Sequence, residues 1–291
     1  MSLYSANIDD FGMDSRSMAG PLQHRLDAAR DAGFTQILLS VADLAQHPQG
    51  VDAAIAAVHA SGLRVTGFRA LADFEGLSGA MLDYKLDVAK SMLGMCHALG
   101  CRLLVLDAST ARQASAESPD ITRSLRQLAT LAIPKNIRIA YRAHPQAAAT
   151  REFAQAWDLV CLADMPNLGL CLDTLDVLCS QSSDNDLEML AGEKLFLVQL
   201  ADCLGACESG FRVFAGQGEH DATLVDMITR LRGIGFRGDY SLAVVNADYQ
   251  HMPPAQVAQQ AWRSALWMGQ DVLQRSVPLP NQIRLKQRSI V

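Results

Sequence analysis

A single arginine stands where a buried strand ends in the stretch IRIAYRAHP, residues 137–145. Apolar residues alternate along its first half, which predicts a strand, and the proline at the end of the stretch stops it. A guanidinium at the end of an interior strand is costly to bury unless neighbouring groups balance its charge. What Arg142 faces therefore decides whether it takes part in catalysis, binds a ligand or only neutralises its neighbours.

Polar residues also follow the other strand-like runs of the sequence. Carboxylates in such places transfer protons or hold cations, and arginines bind carboxylates or phosphates bidentately. The candidates at strand ends are Asn7, Asp9, Arg69, Asp107, Arg142, His144, Asp173, Asp176, Gln199, Asp202, Asn246 and Asp248. The candidates in the following loops are Glu75, Arg212, Gln217, Glu219 and His220.

Strand-like and helix-like runs alternate along the whole sequence. The strand-like runs are 2–8, 35–41, 63–69, 101–108, 136–142, 167–173, 194–202 and 239–246. The runs between and after them are 21–32, 50–62, 78–99, 115–132, 150–163, a looser segment at 184–192, 221–235 and 254–274. Glycines follow several helices, as expected for helix ends. The pattern predicts one (β/α)8 TIM barrel, α/β in class, over residues 1–275 with a tail at 276–291. An open doubly wound sheet is less favoured because no G-x-G-x-x-G turn follows the first run.

The composition excludes several classes of protein. The 291 residues are 49% apolar and carry a formal net charge of -6, and the main basic cluster is the short stretch 284–289. We therefore expect no nucleic-acid partner, and the lack of a long apolar run predicts no membrane partner. The seven cysteines form no C-x-x-C pair, and the first residues lack a signal-peptide pattern. These features predict a cytoplasmic protein with free thiols.

Several stretches resemble the sugar-phosphate isomerase/epimerase-like barrels, the xylose-isomerase-like superfamily that also contains the endonuclease-four enzymes. In the second half they are LGLCLDTLDVL (168–178), KLFLVQLADC (194–203), FRVFAGQGEHD (211–221) and FRGDYSLAVVNADY (236–249). In the first half they are FRALADFEGL (68–77) and LGCRLLVLDAS (99–109). The sequence is most similar to the bacterial 3-dehydroshikimate dehydratases, over most of residues 1–270.

The resemblance implies a divalent metal held at strand ends by two Glu, one Asp and one Gln. Carried over residue by residue, Asp173 matches the Asp and Gln199 matches the Gln, but the two Glu positions fall on Arg142 and Ala243. The two remaining ligands would bind a divalent cation weakly beside a guanidinium. No metal is therefore expected, unless other residues complete the site for Mg, Mn, Co or Zn.

Two further family positions differ in this chain and one is kept. A His that is a candidate acid or base in the family is Asp176 here, and a family Arg falls on Ala72, whereas Arg212 matches a family Arg. His144 or His220 completing a metal site with Asp173 is less favoured than their being exposed loop histidines.

The roles predicted from this comparison fall into two groups, each with a simpler alternative. Asp176 and Arg212 are the catalytic candidates. The alternative for Asp176 is a carboxylate that only pairs with Arg142. The alternative for Arg212 and the following GQGEH is an ordinary turn built on glycines. Cys203 and Cys207 are interpreted as buried thiols. The candidate substrate-binding residues are Arg142, His144, Asp173, Gln199, Arg212 and Glu219. For Asp173 and Gln199 the alternative is that they are buried polar residues paired with Arg142 and backbone groups.

Three hypotheses for function follow. The first is a lyase (dehydratase) or an isomerase/epimerase that acts on a small polyhydroxylated anionic carbonyl compound. The second is a metal-free pseudoenzyme that binds such a metabolite or serves as a partner subunit, and the third is a barrel retained for assembly with a catalytic partner. The sequence leaves homo-oligomerisation open.

Overall fold

Eight parallel strands close into a barrel in this protein. The structure is a computed structural model that describes residues 10–180, 184–205 and 211–274. Its strands are β1 (Phe11–Asp14), β2 (Gln36–Ser40), β3 (Arg64–Leu71), β4 (Leu103–Asp107), β5 (Arg138–Arg142), β6 (Leu168–Asp173), β7 (Leu195–Leu200), β8 (Asp202–Leu204), β9 (Phe211–Val213) and β10 (Asp239–Leu242). Strands β1 to β7 follow one another around the barrel, and β10 closes it between β7 and β1. The predicted TIM barrel is confirmed.

Helices surround the barrel and connect its strands. They are α1 (Leu22–Ala32), α2 (Val41–Ala45), α3 (Val51–Ser61), α4 (Gly79–Ala98), α5 (Ser118–Ala132), α6 (Phe153–Ala163), α7 (Thr174–Leu178), α8 (Asp221–Gly233), α9 (Ala247–His251) and α10 (Pro254–Trp267). Helix α1 ends at Gly33, whose φ of 116° places it in the left-handed region that an L side chain rarely adopts. Among the described residues, no helix is long and apolar enough to cross a membrane.

Two layers of apolar packing hold the barrel together. The larger one lies between the strands and the surrounding helices, and a smaller cluster contains side chains from β2, β4, β5, β6 and β7. Val105, Ala140, Cys171 and Leu197 belong to this smaller cluster. Side chains two residues apart on a strand point to the same face, so the residues two positions further on project above this cluster at the barrel mouth. Those residues are Asp107, Arg142, Asp173 and Gln199.

The first strand lies later in the sequence than predicted. Residues 2–8 were expected to form it, but β1 is Phe11–Asp14, with Phe11 opposite Tyr240 of β10 and Met13 opposite Ile37 of β2. Residues 2–8 lie outside the described residues, and the pairing on both sides assigns the barrel strand to Phe11–Asp14. Asn7 and Asp9 lie outside the described residues.

The chain also forms a small antiparallel sheet beside the barrel mouth that the sequence analysis did not predict. Strands β8 and β9 pair so that Cys203 lies opposite Arg212. The proposed tail, residues 276–291, lies outside the described residues, so the limits 1–275 and 276–291 stay predictions.

Candidate functional site

Arg142 lies at the centre of the barrel mouth and contacts three strands. Its Nε donates to Oδ1 of Asp107 at 2.7 Å, and its Nη1 donates to Oδ2 of Asp173 at 3.2 Å and to Oε1 of Gln199 at 3.4 Å. Burial opposes the charge, but the neighbouring carboxylates, led by Asp107, outweigh it and raise the pKa of Arg142. Arg142 is therefore a fixed cation that bridges β4, β6 and β7.

Asp173 receives a second arginine from outside the barrel. Arg212 of β9 donates from Nη2 to its Oδ1, and the same oxygen accepts the backbone N–H of Leu175 at the start of α7. Burial alone would raise the pKa of Asp173, but the charges of Arg212 and Arg142 hold it below its ordinary value. This carboxylate is ionised and shared between two guanidinium groups.

A second group of charges completes the mouth on the side of β1. Asp14 accepts from Arg16 and Arg69, and Arg69 also reaches Oδ2 of Asp107 at 3.4 Å. Asp14 and Arg16 were missed because the first strand was placed too early. The signal was present in Phe11 to Asp14, where apolar residues alternate with glycine before a carboxylate. The two groups form one network through Asp107.

Asp176 differs from the other carboxylates of the mouth because its negative charge is poorly balanced by neighbouring arginines. Its Oδ2 lies 3.8 Å from Nη1 of Arg142 and has no hydrogen-bond partner among the described residues. Burial and the negative charge of Asp173 raise the pKa of Asp176 to about 7. A carboxyl with this pKa exchanges protons near neutral pH.

Three buried nitrogen atoms in the mouth lack hydrogen-bond acceptors in the part of the chain that the structure describes. They are Nε of Arg69, Nε of Arg212 and Nε2 of Gln199. A buried donor without a partner costs about 1–3 kcal/mol. A bound molecule with oxygen atoms at these points would relieve that cost.

The other predicted site residues lie further from this network. His144 lies in the loop after β5, where its Nδ1 accepts from the backbone of Gln146, and burial followed by the charge of Arg142 lowers its pKa. Glu219 is exposed, and its described contact is a backbone N–H donated to Cys203. The structure thus does not bring the carboxylate of Glu219 to the mouth. The roles of both residues stay predictions.

Three further candidates have structural contacts instead. Glu75 is buried and accepts hydrogen bonds from Ser109 and Tyr141, and burial raises its pKa. Asn246 caps α9 and donates to the backbone oxygen of Arg212 at 2.7 Å. Gln217 accepts from the hydroxyl of Tyr249 (Oε1 to Oη, 3.1 Å), whereas Asp248 is exposed.

The residues at the four positions that the resemblance predicts for the family's metal do not fit a divalent cation. Ala243 directly follows β10, is buried and offers no ligand atom, while Arg142 already uses oxygen atoms of Asp173 and Gln199. A dication there would lie beside a guanidinium that cannot lose its proton. We therefore assign no metal to these four positions. His220 lies beside Asp202 rather than Asp173.

The comparisons with known proteins decide the family. The family model of the xylose isomerase-like TIM barrel matches residues 26–268. The chain belongs to this family. A 3-dehydroshikimate dehydratase of Pseudomonas aeruginosa is 32% identical over 90% of this chain and 42% of its own length. An inosose isomerase of Bacillus licheniformis is 29% identical over 55% of this chain and 60% of its own length.

Solved structures of this family share the fold. A xylose isomerase-like TIM barrel/4-hydroxyphenylpyruvate dioxygenase fusion protein matches with a TM-score of 0.84 and 26% identity, over 98% of this chain and 45% of that one. The IOLI protein with a binding zinc atom matches with a TM-score of 0.79 and 21% identity, over 92% of this chain and 99% of that one. The chain spans less than half the length of the Pseudomonas relative and of the fusion protein.

Proposed function

We propose that the barrel mouth binds a small polyhydroxylated anion with a carbonyl group, and that it does so without a metal at Asp173 and Gln199. The observation that supports this most is that Arg142, which stands where the resemblance predicts a metal-ligand Glu, bridges the acidic groups around it. The named substrates of the dehydratase and isomerase relatives suggest a ring that carries a ketone and hydroxyl groups.

The charge balance of the mouth favours an anion. Four arginines (Arg16, Arg69, Arg142, Arg212) face four aspartates (Asp14, Asp107, Asp173, Asp176) in its described ion pairs. Because the pKa of Asp176 is about 7, the four positive charges exceed the negative charges when it is protonated. An incoming carboxylate or enolate restores neutrality.

The exposed arginines are the groups that the anion meets first. The side chains of Arg16 and Arg212 are 39% and 25% exposed, whereas that of Arg69 is only 2% exposed. Each holds an aspartate on one edge and has N–H groups left for a ligand. We assign the first contact with the anion to Arg212 and Arg16, with Gln199 Nε2 directed at an oxygen of the ring.

Asp176 supplies the proton transfer in this proposal. A dehydratase or isomerase of this substrate class removes a proton beside a carbonyl and returns one to a leaving hydroxyl or to carbon. Ionised Asp176 accepts this proton and, once protonated, returns one, because its pKa of about 7 leaves both forms present near neutral pH. Arg142 and Arg212 stabilise the negative charge that develops on the carbonyl oxygen. We propose a lyase or isomerase whose mouth needs no Lewis acid. The described cysteines form no disulfide with one another, which supports a reducing compartment, the cytoplasm.

Titration calorimetry with 3-dehydroshikimate in excess chelator tests this proposal. We expect binding to the wild type, and a Kd about 10- to 100-fold higher for Arg212→Ala, as expected when a charged hydrogen bond is lost. The matched control is Arg123→Ala, an exposed arginine of α5, which should bind like the wild type. Equal affinity of Arg212→Ala and the wild type, or binding that requires added metal, would contradict the proposal.

A metal-free pseudoenzyme is the second candidate, and it is favoured because Asp173 pairs with two arginines. Both of its oxygen atoms already accept from arginines, which suits a binding site as well as a catalytic one. Product analysis separates the two candidates. Conversion of 3-dehydroshikimate in chelator that disappears in Asp176→Asn supports the enzyme, and binding without conversion supports the pseudoenzyme. Turnover that added Mg²⁺, Mn²⁺, Co²⁺ or Zn²⁺ stimulates through Asp173 would contradict both.

A further inference from the structure

Three potential metal ligands converge beside the barrel mouth at the base of the β8–β9 hairpin. Nδ1 of His220 lies 3.0 Å from Oδ1 of Asp202 and 3.6 Å from Sγ of Cys203. The ligand atoms of the three residues all lie within 4.8 Å of one another. They are a carboxylate oxygen, an imidazole nitrogen and a sulfur, and none of them belongs to the mouth network described above.

The arrangement differs from a catalytic triad. In a triad one imidazole nitrogen faces the nucleophile and the other faces the carboxylate, so a proton passes through the ring. Here a single nitrogen, Nδ1 of His220, faces both the thiol and the carboxylate. This nitrogen cannot relay a proton between them, but the three donor atoms lie close enough together to share a cation.

The spacing of the donor atoms suits a small tetrahedral ion. With bonds of about 2.3 Å to sulfur and about 2.0–2.1 Å to nitrogen and oxygen, tetrahedral ligands lie about 3.3–3.6 Å apart. The separation of His220 Nδ1 from Cys203 Sγ, 3.6 Å, lies in that range, and its separation from Asp202 Oδ1, 3.0 Å, lies just below it. The third separation, between Asp202 and Cys203, is at most 4.8 Å.

The backbone around the cluster already holds these ligands in place. The backbone N–H of Cys203 donates to Oδ1 of Asp202, and the N–H of Glu219 donates to the carbonyl of Cys203. Gly218 packs so closely on Asp202 that a Cβ at this position would lie 2.3 Å from the carboxyl carbon. Asp202 and Cys203 are fully buried, whereas the His220 side chain is 27% exposed and leaves a path for an ion.

We propose that Asp202, Cys203 and His220 bind a thiophilic divalent cation of the zinc class, with water as the fourth ligand. Thiolate and imidazole ligands select zinc over magnesium or calcium, which prefer oxygen ligands. On binding, the Cys203 thiol releases its proton to solvent and the neutral imidazole gives Nδ1 to the metal. The ion ties the hairpin to the start of α8.

The site also acts on the mouth through the hairpin. Cys203 lies opposite Arg212 in the β8–β9 pairing, and the Arg212 side chain reaches Asp173. A metal at Cys203 therefore stiffens the strand that positions Arg212. This role is structural and requires no step of catalysis at the ion.

Titration of the chelator-treated full chain with Co²⁺, a spectroscopic substitute for Zn²⁺, tests the proposal. We expect one equivalent to bind, with visible bands of tetrahedral cobalt and a thiolate charge-transfer band that Zn²⁺ removes by displacement. Cys203→Ser should lose the charge-transfer band, and His220→Ala should weaken binding at least about 10-fold, as loss of a ligand or its support does. The exposed Cys161→Ser is the matched control and should keep both signals.

The outcomes separate this site from other thiols and from the mouth. A wild type that gives no thiolate band, or a band that survives in Cys203→Ser, would overturn the proposal. If a variant does not fold, thermal unfolding with and without Zn²⁺ provides the test. Zn²⁺ should raise the Tm of the wild type and that of Asp173→Asn by similar amounts. An increase in Tm that requires Asp173 would instead place the metal in the mouth and contradict the assignment.

Discussion

Arg142 stabilises the mouth because its guanidinium is shared between carboxylates that would otherwise repel each other. Asp107 and Asp173 lie on different strands and contact different nitrogen atoms of this one side chain. Both carboxylates are ionised because arginine charges outweigh the effect of burial and lower their pKa values. Removing one partner of a buried ion pair leaves an uncompensated buried charge. This costs far more stability than replacing both partners with apolar residues.

Replacing Arg142 should therefore destabilise the fold. We expect Arg142→Ala to lower the free energy of unfolding by about 3–5 kcal/mol, the usual cost of breaking a buried ion pair. Urea unfolding followed by circular dichroism measures this change. Arg123→Ala, which removes an exposed pair on α5, is the control and should change stability little. Equal effects of the two substitutions would show that the mouth network is not buried.

Asp176 should give the protein a pH-dependent stability of defined sign. Burial and the charge of Asp173 raise its pKa in the folded state to about 7 from the ordinary aspartate value of 3.8. The folded state then holds the proton more tightly, so this contribution to stability is complete below pH 3.8 and is lost as the pH rises to about 7.

The measurement is the difference in unfolding free energy between the wild type and Asp176→Asn across that range of pH. The wild type should lose stability relative to Asp176→Asn as the pH rises, and the difference should become constant above about 8, one unit past the folded pKa. A difference that does not change between pH 5 and pH 8 would mean that Asp176 is ionised throughout.

At the scale of elements, the β8–β9 hairpin and the turn before α8 pack together through the close contact of Gly218 with Asp202. Gly218 leaves room for the Asp202 carboxylate, and a side chain there would collide with it. Gly218→Ala should therefore displace the turn and lower the Tm. Gly94→Ala in α4 is the matched control, since a Cβ there meets no atom within 4 Å, and it should stabilise the helix by about 0.5–1 kcal/mol. A Tm of Gly218→Ala equal to or above that of the wild type would contradict this account.

Most elements could be predicted from the sequence because each carries its own periodic pattern. Strand β5 and helix α5 lie within a few residues of their predicted ranges, since alternation and helical spacing depend on local residues alone. The first strand could not be placed in this way, because two neighbouring apolar stretches compete and the choice depends on pairing with β2 and β10. The β8–β9 hairpin was missed because each strand has only three residues.

The site residues could be predicted wherever the end of the strand that carries them could be predicted. Asp107, Arg142, Asp173 and Gln199 meet because each stands two residues after an apolar side chain of the barrel interior. The positions of Arg16 and Asp14 depend on the first strand, so they were not predicted once that strand was placed too early. Which oxygen of Asp173 each arginine contacts depends on side-chain geometry, which spacing in a sequence does not encode.

At the scale of the whole molecule, the barrel keeps the architecture of its family. We propose that arginines fixed to the scaffold supply the positive charge that a metal would supply at the mouth, so that this charge belongs to the chain itself. Such charges are preorganised and need no ion from solution. The proposed function therefore depends on whether Arg142 replaces a metal.

Titration with Mn²⁺, followed by electron paramagnetic resonance of the free ion, tests this replacement most directly. The comparison is between Cys203→Ser, which removes the proposed thiolate ligand, and the same protein with Arg142→Glu and Ala243→Glu. We expect the first protein to leave Mn²⁺ free and the second to bind one equivalent, because two carboxylates rejoin Asp173 and Gln199. Binding of one equivalent to the first protein, lost on Asp173→Asn, would contradict the account.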